Sequence, residues 1–381
     1  MAKMQSLIRR IHESPWKLVL VAAGGGIQGI ADLFHEPGAS RTVLEAVIPY
    51  SAAALEAWLH GKPDHACAKA TARSMAMAAF LRARQLQQAA GETDDSPVAG
   101  VACTASLVTE RPKKGPHRVH VAIQRADVTR SVSLFLIKGA RSRFEEEQVA
   151  SGLFLYAMAT ACDLEVDWAL PLLSGEVLEH EKAEAPKSWQ ELILGTCDVV
   201  PLGAPADWQR GRPVVLFPGA FNPLHVGHLR MARVAEAKLG RPVEFEISVL
   251  NADKPPLDYV EIRRRVEQFT LQDRIWLTRL PTFLEKARRF PQATFVVGID
   301  TLMRIADPRY YGHNPHARDQ AIRELAERGC RFLVFGRCWQ GRFLGLKDVD
   351  IPEDLRRLCT EVPESEFRED ICSTQLRAQE E

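Results

Sequence analysis

From Arg212 onward, short apolar runs alternate with amphipathic helical segments, and this alternation limits the possible folds more than any other feature of the sequence. The apolar runs are VVLF, VEFEISVL, RIWLT, ATFVVG and RFLVFG, with helical patterns between them. Strands that alternate with helices at this spacing favour βαβ units and a parallel sheet. The sequence therefore predicts an α/β fold for residues 212–381, with a Rossmann-like, doubly wound parallel sheet.

The chain has 381 residues, a length that favours two domains over one. Near the N-terminus the strand pattern KLVLVA leads into three glycines and then into a helical pattern, which predicts another α/β domain over residues 1–164. Residues 165–211 carry several prolines and an acidic stretch. We interpret them as an ordered linker with one short helix near Trp189.

Charge and composition argue against several classes of partner. Lysine plus arginine equals aspartate plus glutamate, 49 each, so the chain has no overall positive field that would collect nucleic acid or an anionic membrane. No apolar run reaches the roughly eighteen residues of a membrane-spanning helix. The eight cysteines form no C-x-x-C pair, which favours reduced thiols. We therefore expect a cytoplasmic protein without nucleic acid or membrane partners.

The strongest local signal is GAFNPLHVGHL, residues 219–229, which lies between an apolar strand and an amphipathic helix. His225 and His228 are three residues apart, so they share one face of the first helical turn. Unpaired N–H groups and the helix dipole favour an anion at this end of a helix, and Gly227 lets the backbone approach closely. The motif predicts a phosphate site. The alternative is a pair of surface histidines that cap an ordinary helix.

This segment resembles the H-x-G-H signature of the nucleotidyltransferase superfamily, and its Phe-Asn-Pro sequence is similar to that of nicotinamide and nicotinate mononucleotide adenylyltransferases. Four further segments extend the resemblance: KPPL with the arginines after it, FVVGIDTL, FLVFGR and ICSTQLR, in which Cys372 replaces the family's first serine. Taken singly, Lys254 and the arginines also fit a solvated face, Asp300 fits a helix cap, and Ser373 with Thr374 fits a cap only. The resemblance implies that ATP and the mononucleotide contact the following residues: Gly219, Phe221, Asn222, Gly227, Arg263, Gly298, Asp300, Arg337, Ser373 and Thr374.

The resemblance also implies a reaction, in which the mononucleotide phosphate attacks the α-phosphorus of ATP and pyrophosphate leaves. The sequence presents no nucleophile beside a base, so a covalent adenylyl-enzyme is not expected. Catalysis would rest on positioning and on charge neutralisation by ATP-bound Mg²⁺ and four side chains: His225, His228, Lys254 and Arg377. Because ATP oxygens and water would hold the Mg²⁺, we predict no metal ligand from the protein.

Two other functions stay open on the same residues. One is nucleotidyl transfer to a different acceptor, such as cytidylyl transfer to a phosphorylated alcohol or adenylyl transfer to phosphopantetheine. The other is a non-catalytic regulator that binds nucleotides. The Phe-Asn-Pro and Gly-Ile-Asp segments argue against the first alternative. The second is disfavoured by the intact set of charge-neutralising residues: His225, His228, Ser373, Thr374 and Arg377.

Residues 16–164 resemble the CinA C-terminal domain family, whose active members deamidate nicotinamide mononucleotide. The resemblance rests on the strand and glycine turn near the N-terminus and on the segments PGAS, PYS and GVAC. Active members carry Ser-Cys-Thr before the glycines, where this chain has Ala22, Ala23 and Gly24, and Leu55 stands where the family has a lysine. Without that hydroxyl and that cation, we predict that this domain has no deamidase activity.

The glycine turn of this domain keeps a feature that suits a ligand. Gly24, Gly25 and Gly26 precede a helical pattern, and a glycine turn at a helix N-terminus favours a phosphate. Two roles follow for the domain. It is either a module that senses nucleotides or a structural domain that holds a homo-oligomer together.

Overall fold

The computed structural model describes residues 2–89, 96–111, 113–203, 213–339 and 342–369. The chain folds into two compact units. The N-terminal unit comprises Met1–Gln190 and Asp253–Ile262, and the C-terminal unit comprises Glu191–Ala252 and Arg263–Glu381. No helix in the described ranges is both long enough and apolar enough to span a membrane.

The N-terminal unit is built on one mixed sheet of six strands: β1 (Lys17–Ala23), β2 (Val43–Val47), β3 (Val98–Ser106), β4 (His117–Gln124), β5 (Val128–Leu136) and β6 (Leu178–Glu184). The strand order is β2-β1-β3-β4-β5-β6. β1 pairs in parallel with β2 and β3, and the pairs from β3 to β6 are antiparallel. The helices are α1 (Ala2–Glu13), α2 (Ile27–His35), α3 (Ala39–Thr42), α4 (Ala52–Leu59), α5 (Lys69–Ala89) and α6 (Arg143–Ala161).

The central strands of this sheet are buried along nearly their whole length, as expected for strands covered on both faces. β1 and β3 carry almost only small or β-branched apolar residues, which pack well on a pleated surface. The alanine-rich helix α5 packs against β3 and β4, while α6 packs against α2. The α/β class predicted for this part of the chain is confirmed.

The segment of residues 165–211 contributes an element to each sheet. β6 pairs with β5 in the N-terminal unit, and the strand β7 (Val199–Leu202) pairs antiparallel with a strand of the C-terminal unit. The helix expected near Trp189 is α7 (Lys187–Leu194). Neither strand is evident in the sequence pattern, because both lie at sheet edges, where charged residues and prolines are tolerated.

Residues 253–262 also differ from their expected place, because they pack as part of the N-terminal unit. Asp258 accepts a hydrogen bond from Nε of Arg73 at 3.2 Å, and both side chains are buried. The fully buried Tyr259 donates its hydroxyl to the Ala126 carbonyl at 2.5 Å, and its N–H to Oγ1 of Thr129 at 3.0 Å. The KPPL segment is therefore packed with the N-terminal unit, although it follows a strand of the C-terminal unit.

A buried carboxylate, Glu176, fixes a loop of the N-terminal unit. It pairs with Arg141 at 2.6 Å and accepts hydrogen bonds from the N–H groups of Ile137 and Leu173, both at 2.8 Å. Burial raises the pKa of Glu176, but the hydrogen bonds from Arg141, Leu173 and Ile137 outweigh it and lower the pKa to about 2. The folded state thus holds this carboxyl ionised more strongly than the unfolded chain does.

We expect the Glu176→Gln variant to unfold more easily by about 2 kcal/mol at neutral pH, because a neutral amide accepts weaker hydrogen bonds from Arg141. The folded pKa is below the ordinary value of 4.5, so this stabilisation is present above that pH and is lost as the pH falls toward about 2. Urea unfolding of both proteins over this range measures it. The difference between them should shrink on acidification; a constant difference would contradict this role of Glu176.

The C-terminal unit has a seven-stranded sheet formed by β7 with β8 (Val215–Pro218), β9 (Val243–Ser248), β10 (Arg274–Thr278), β11 (Thr294–Gly298), β12 (Arg331–Phe335) and β15 (Cys359–Val362). The strands β13 (Arg337–Trp339) and β14 (Arg342–Leu344) form a separate hairpin. The helices are α8 (Val226–Leu239), α10 (Phe283–Arg289), α11 (Ile299–Ala306), α12 (Pro315–Glu327) and α13 (Glu353–Arg356), with short 3-10 helices at Pro308–Tyr311 and Leu346–Asp348. The helix α9 (Tyr259–Val266) begins in residues assigned to the N-terminal unit and ends in residues of the C-terminal unit.

The order of this sheet is β15-β12-β11-β8-β9-β10-β7, and every pair except β10–β7 is parallel. Starting from β8, the chain adds two strands on one side and then returns to add three on the other. This is the Rossmann order, and it confirms the doubly wound parallel sheet predicted for the C-terminal domain. The reversal occurs between β8 and β11. In doubly wound sheets the carboxyl ends of the strands border a crevice at such a point.

A charged pair is buried in this unit. Lys286 on α10 and Glu246 on β9 are 3% and 1% exposed, and their Nζ and Oε1 atoms are 2.8 Å apart. The ammonium group also donates to Oγ of Ser248 at 3.2 Å and to the Leu280 carbonyl, while Thr278 donates to Glu246. Three acceptors satisfy the three donors of Lys286, so the pair fixes the ends of β9 and β10.

Candidate active site

The loop from β8 to α8 is shaped by an aromatic side chain folded beneath it. Phe221 is 1% exposed and has φ of +45°, in the left-handed region. A Cβ atom on Gly219 would lie 2.4–2.8 Å from the Phe221 ring, so this close approach requires glycine. The Phe221 ring centroid is 5.1–5.5 Å from the rings of its neighbours, which are Phe217, His228, Phe245 and Phe269.

The two histidines predicted to contact phosphate lie at the N-terminus of α8. Their rings stack with centroids 3.8 Å apart, and Nδ1 of His228 accepts a hydrogen bond from the N–H of His225 at 3.3 Å. Nδ1 of His225 is buried and has no hydrogen-bond partner among the described residues. A Cβ atom on Gly227 would lie 3.0 Å from the His225 ring, so glycine leaves room for this stacking.

Burial favours the neutral form of both imidazoles. Burial and the neighbouring His225 lower the pKa of His228 to about 3. Burial also lowers the pKa of His225, an effect that the carboxylate of Glu369 partly opposes. Both rings are therefore neutral near pH 7, each with one N–H donor. They can donate hydrogen bonds to phosphoryl oxygens, but they carry no full positive charge until an anion binds.

Three side chains in α9 or just after it hold the loop by hydrogen bonds. Arg264 donates to Oδ1 of Asn222, and Nη1 of the buried Arg265 donates to the Ala220 carbonyl at 3.0 Å. Gln268 donates to the Phe221 carbonyl at 2.9 Å and accepts from the Leu224 N–H at 2.7 Å. Gln268 is absent from the predicted site, because no sequence motif marks a residue that acts on a distant backbone.

The remaining residues predicted to contact nucleotide lie in three places. Gly298 ends β11, and a Cβ atom there would meet no atom within 4 Å, so the space beside this residue is open. Asp300 in the first turn of α11 pairs with Arg337, the first residue of β13, which lies two residues after the end of β12 in the chain. Arg263 lies in the last turn of α9. Gly298 and the loop that bears the histidines thus lie at the carboxyl ends of the adjacent strands β11 and β8.

Four predicted residues are not part of this cluster as described. Lys254 is exposed and lies in the segment that packs as part of the N-terminal unit. Ser373, Thr374 and Arg377 lie outside the described residues. The last residue described, Glu369, lies beside the first turns of α8, where its carboxylate is 2.5 Å from Nη1 of Arg230.

In the N-terminal unit, the glycine turn at residues 24–26 leads into α2, as expected. The carboxylate of Glu147 accepts hydrogen bonds there from the N–H groups of Ile27 at 2.8 Å and Gln28 at 3.3 Å. Gly24 has φ of +79°, and a Cβ atom there would lie 2.1 Å from the Ala105 carbonyl oxygen. A carboxylate of the chain itself thus takes the N–H groups that the sequence offers to a phosphate.

Comparison with known proteins found one family match and several similar solved structures. Residues 216–379 match the family described as cytidylyltransferase-like. No curated protein matches the chain. Among solved structures, competence/damage inducible protein CihA from Agrobacterium tumefaciens is 18% identical, with 42% of this chain and 96% of that chain covered and a TM-score of 0.32. A competence-damaged protein (CinA) superfamily protein from Enterobacter cloacae is 15% identical, with 42% and 90% covered and a TM-score of 0.30.

The family match begins within β8 and contains the loop, both histidines and the crevice. It therefore includes all the residues that the geometry brings together at the carboxyl ends of β8 and β11. The C-terminal part of this chain is accordingly a cytidylyltransferase-like domain, of the nucleotidyltransferase type.

Proposed function

We propose that the C-terminal domain transfers an adenylyl group from ATP to nicotinamide or nicotinate mononucleotide, in the synthesis of the pyridine dinucleotide. The observation that carries the proposal is the stacked pair of His225 and His228 at the N-terminus of α8. The pair lies beside the crevice where doubly wound sheets bind nucleotides. The buried Nδ1 atom of His225 has no hydrogen-bond partner among the described residues.

The proposed step is a direct displacement. An oxygen of the mononucleotide phosphate forms a bond to the α-phosphorus of ATP, the bond from that phosphorus to the bridging oxygen breaks, and pyrophosphate leaves. A phosphate monoester is already ionised near neutral pH, so the attacking group needs no base. His225, His228 and the α8 N-terminus would donate hydrogen bonds to phosphoryl oxygens, whose charge develops in the transition state. Mg²⁺ bound to ATP would supply further charge neutralisation.

The position of Glu369 supports a role for the C-terminal tail. Its Cγ atom would lie 3.1 Å from a Cβ atom on Gly227, so the chain at residue 369 is beside the histidines. Ser373, Thr374 and Arg377 lie outside the described residues and stay in the proposal, on the resemblance of the ICSTQLR segment, as groups for the β- and γ-phosphates.

A different nucleotide or acceptor is the second candidate, and the description of the matching family as cytidylyltransferase-like favours it. The deciding experiment is pyrophosphate release by purified protein with Mg²⁺ and either ATP or CTP. The acceptors are nicotinamide mononucleotide, nicotinate mononucleotide and phosphopantetheine, and mass spectrometry identifies each product. Release with ATP and a pyridine nucleotide supports the proposal. Release only with CTP, or only with phosphopantetheine, would replace it with the second candidate.

We expect kcat/KM to show no histidine-dependent change between about pH 7 and 8, because this ratio reports groups of the free enzyme. The pKa of His228 is lowered to about 3, and burial lowers the pKa of His225 from its ordinary 6.5, so the neutral form of both rings already predominates in this range. A rate profile with ATP and the preferred acceptor measures it. A step centred on the ordinary histidine pKa of 6.5 that disappears in the His225→Ala variant would contradict the expectation.

For the N-terminal unit we propose a role without deamidase chemistry. Ala22 and Ala23 carry no nucleophile, and the hydrogen bonds of Glu147 at the α2 N-terminus compete with a phosphate for the same N–H groups. Incubation with nicotinamide mononucleotide should therefore release no ammonia. Calorimetry with the same nucleotide would separate a sensing module from a structural domain. A homo-oligomer and a cytoplasmic location remain predictions from the sequence.

A further inference from the structure

The side chain of Gln268 joins two points of the loop that precedes α8. Its Nε2 atom donates to the Phe221 carbonyl at 2.9 Å, and its Oε1 atom accepts from the Leu224 N–H at 2.7 Å. The same Nε2 atom also donates to the Arg265 carbonyl at 3.3 Å. A glutamine amide has two N–H donors, and both are used here. One side chain therefore fixes the backbone on both sides of Asn222 and Pro223.

Neighbours of Gln268 act on the same loop. Nη1 of Arg265, which is 8% exposed, donates to the Ala220 carbonyl at 3.0 Å. The ring of Phe269 meets the ring of Phe221 edge-on, with centroids 5.4 Å apart. The residues that follow α9 thus contact the loop through hydrogen bonds from one side chain and through aromatic packing from the next.

The loop needs such support because its backbone is strained. Phe221 has φ of +45°, a conformation that costs a residue with a Cβ atom roughly 1–2 kcal/mol. A strained residue keeps its conformation only where its surroundings determine it. Leu224, the residue held by Oε1 of Gln268, directly precedes His225, which is the N-cap of α8. The position of the Leu224 backbone therefore determines the position of the His225 backbone, which carries the first imidazole of the pair.

We propose that Gln268 is a positioning residue for nucleotidyl transfer, which fixes the loop presenting Asn222, His225 and His228 without touching the substrate itself. This inference rests on the proposed function of the same site. Gln268 acts on the backbone of the loop, so its effect is on the alignment of the donors. A small displacement of aligned groups lowers the rate of the chemical step more than it lowers ground-state binding.

The test uses the full chain and three variants. Gln268→Met keeps the length of the side chain and removes its hydrogen bonds, and Gln268→Asn is too short to reach both partners. Gln272→Met is the matched control, because Gln272 is exposed and lies four residues away. We expect both Gln268 variants to lower kcat about 10- to 100-fold, with KM for ATP changed by less than about threefold. The control should behave as the wild type.

A second readout does not depend on activity. The imidazole signals of His225 and His228 in ¹H–¹³C NMR spectra should shift in the Gln268 variants and stay unchanged in Gln272→Met. Unshifted imidazole signals in folded Gln268→Met would overturn the inference, as would a kcat within twofold of the wild type. If the wild type transfers no nucleotidyl group to any acceptor, the proposed function fails, and the NMR comparison still decides whether Gln268 positions the histidines.

Discussion

Replacing His228 with alanine is expected to lower kcat about a hundredfold while ATP binding changes little. The neutral imidazole would donate its hydrogen bond to phosphoryl oxygens whose charge grows in the transition state. Its other contacts are within the protein, where the ring stacks on His225 and packs against Phe221. Steady-state kinetics with ATP and the preferred acceptor give kcat, and calorimetry without the acceptor gives the affinity for ATP.

The matched control for this variant is His316→Ala. His316 is an exposed histidine in the first turn of α12, so it shares the residue type and the helical position without the burial. Circular dichroism checks that both variants keep the fold. A His228→Ala enzyme with wild-type kcat would remove His228 from the catalytic set. A large loss of ATP affinity would assign His228 to ground-state binding.

Replacing Lys286 with methionine is expected to destabilise the C-terminal unit by about 3–5 kcal/mol. The substitution keeps the apolar stem and removes the charge that faces Glu246 at 2.8 Å. Glu246 is 1% exposed, so its carboxylate would stay buried opposite an apolar group, with Thr278 as its remaining described hydrogen-bond partner. Urea unfolding followed by fluorescence measures the change, because urea leaves the ionic strength unaltered.

The double variant Lys286→Met with Glu246→Gln tests the cause. If the cost is the unpaired carboxylate, replacing that carboxylate with a neutral amide should recover a large part of the lost free energy of unfolding. Equal destabilisation in the single and double variants would show that packing of the lysine stem, and not the charge, determines the effect. Wild-type stability in Lys286→Met would contradict the pairing itself.

Most of the sheet architecture was accessible from residue patterns, but the edge strands β6, β7 and β15 were not. β8, β9, β10, β11 and β12 are buried apolar runs, and each matches a predicted strand. The edge strands β6, β7 and β15 carry charged, proline or half-exposed residues, such as LEHEKAE in β6. An edge strand exchanges hydrogen bonds on one side only and is partly solvated, so its sequence has no continuous apolar signal.

Some residues of the site could likewise be predicted from the sequence, and others could not. The loop motif places the histidines, Gly219 and Gly227 correctly relative to β8 and α8, because a strand, a tight turn and a helix are consecutive in the chain. Gln268 and Arg265 act on carbonyl groups more than forty residues away in sequence, and no local pattern encodes such contacts. The position of Lys254 likewise depends on the packing of Asp258 and Tyr259, which a motif cannot show.

The sequence by itself determined the α/β class, the doubly wound C-terminal sheet and the histidine-bearing loop, because periodicity and short motifs are local properties of the chain. Tertiary structure alone decided that residues 253–262 pack with the N-terminal unit, and that Glu147 takes the N–H groups of the glycine turn. It also decided that Gln268 holds the loop. These features depend on contacts between residues far apart in sequence. Such contacts form only in the folded chain, where buried polar groups are hydrogen-bonded to one another.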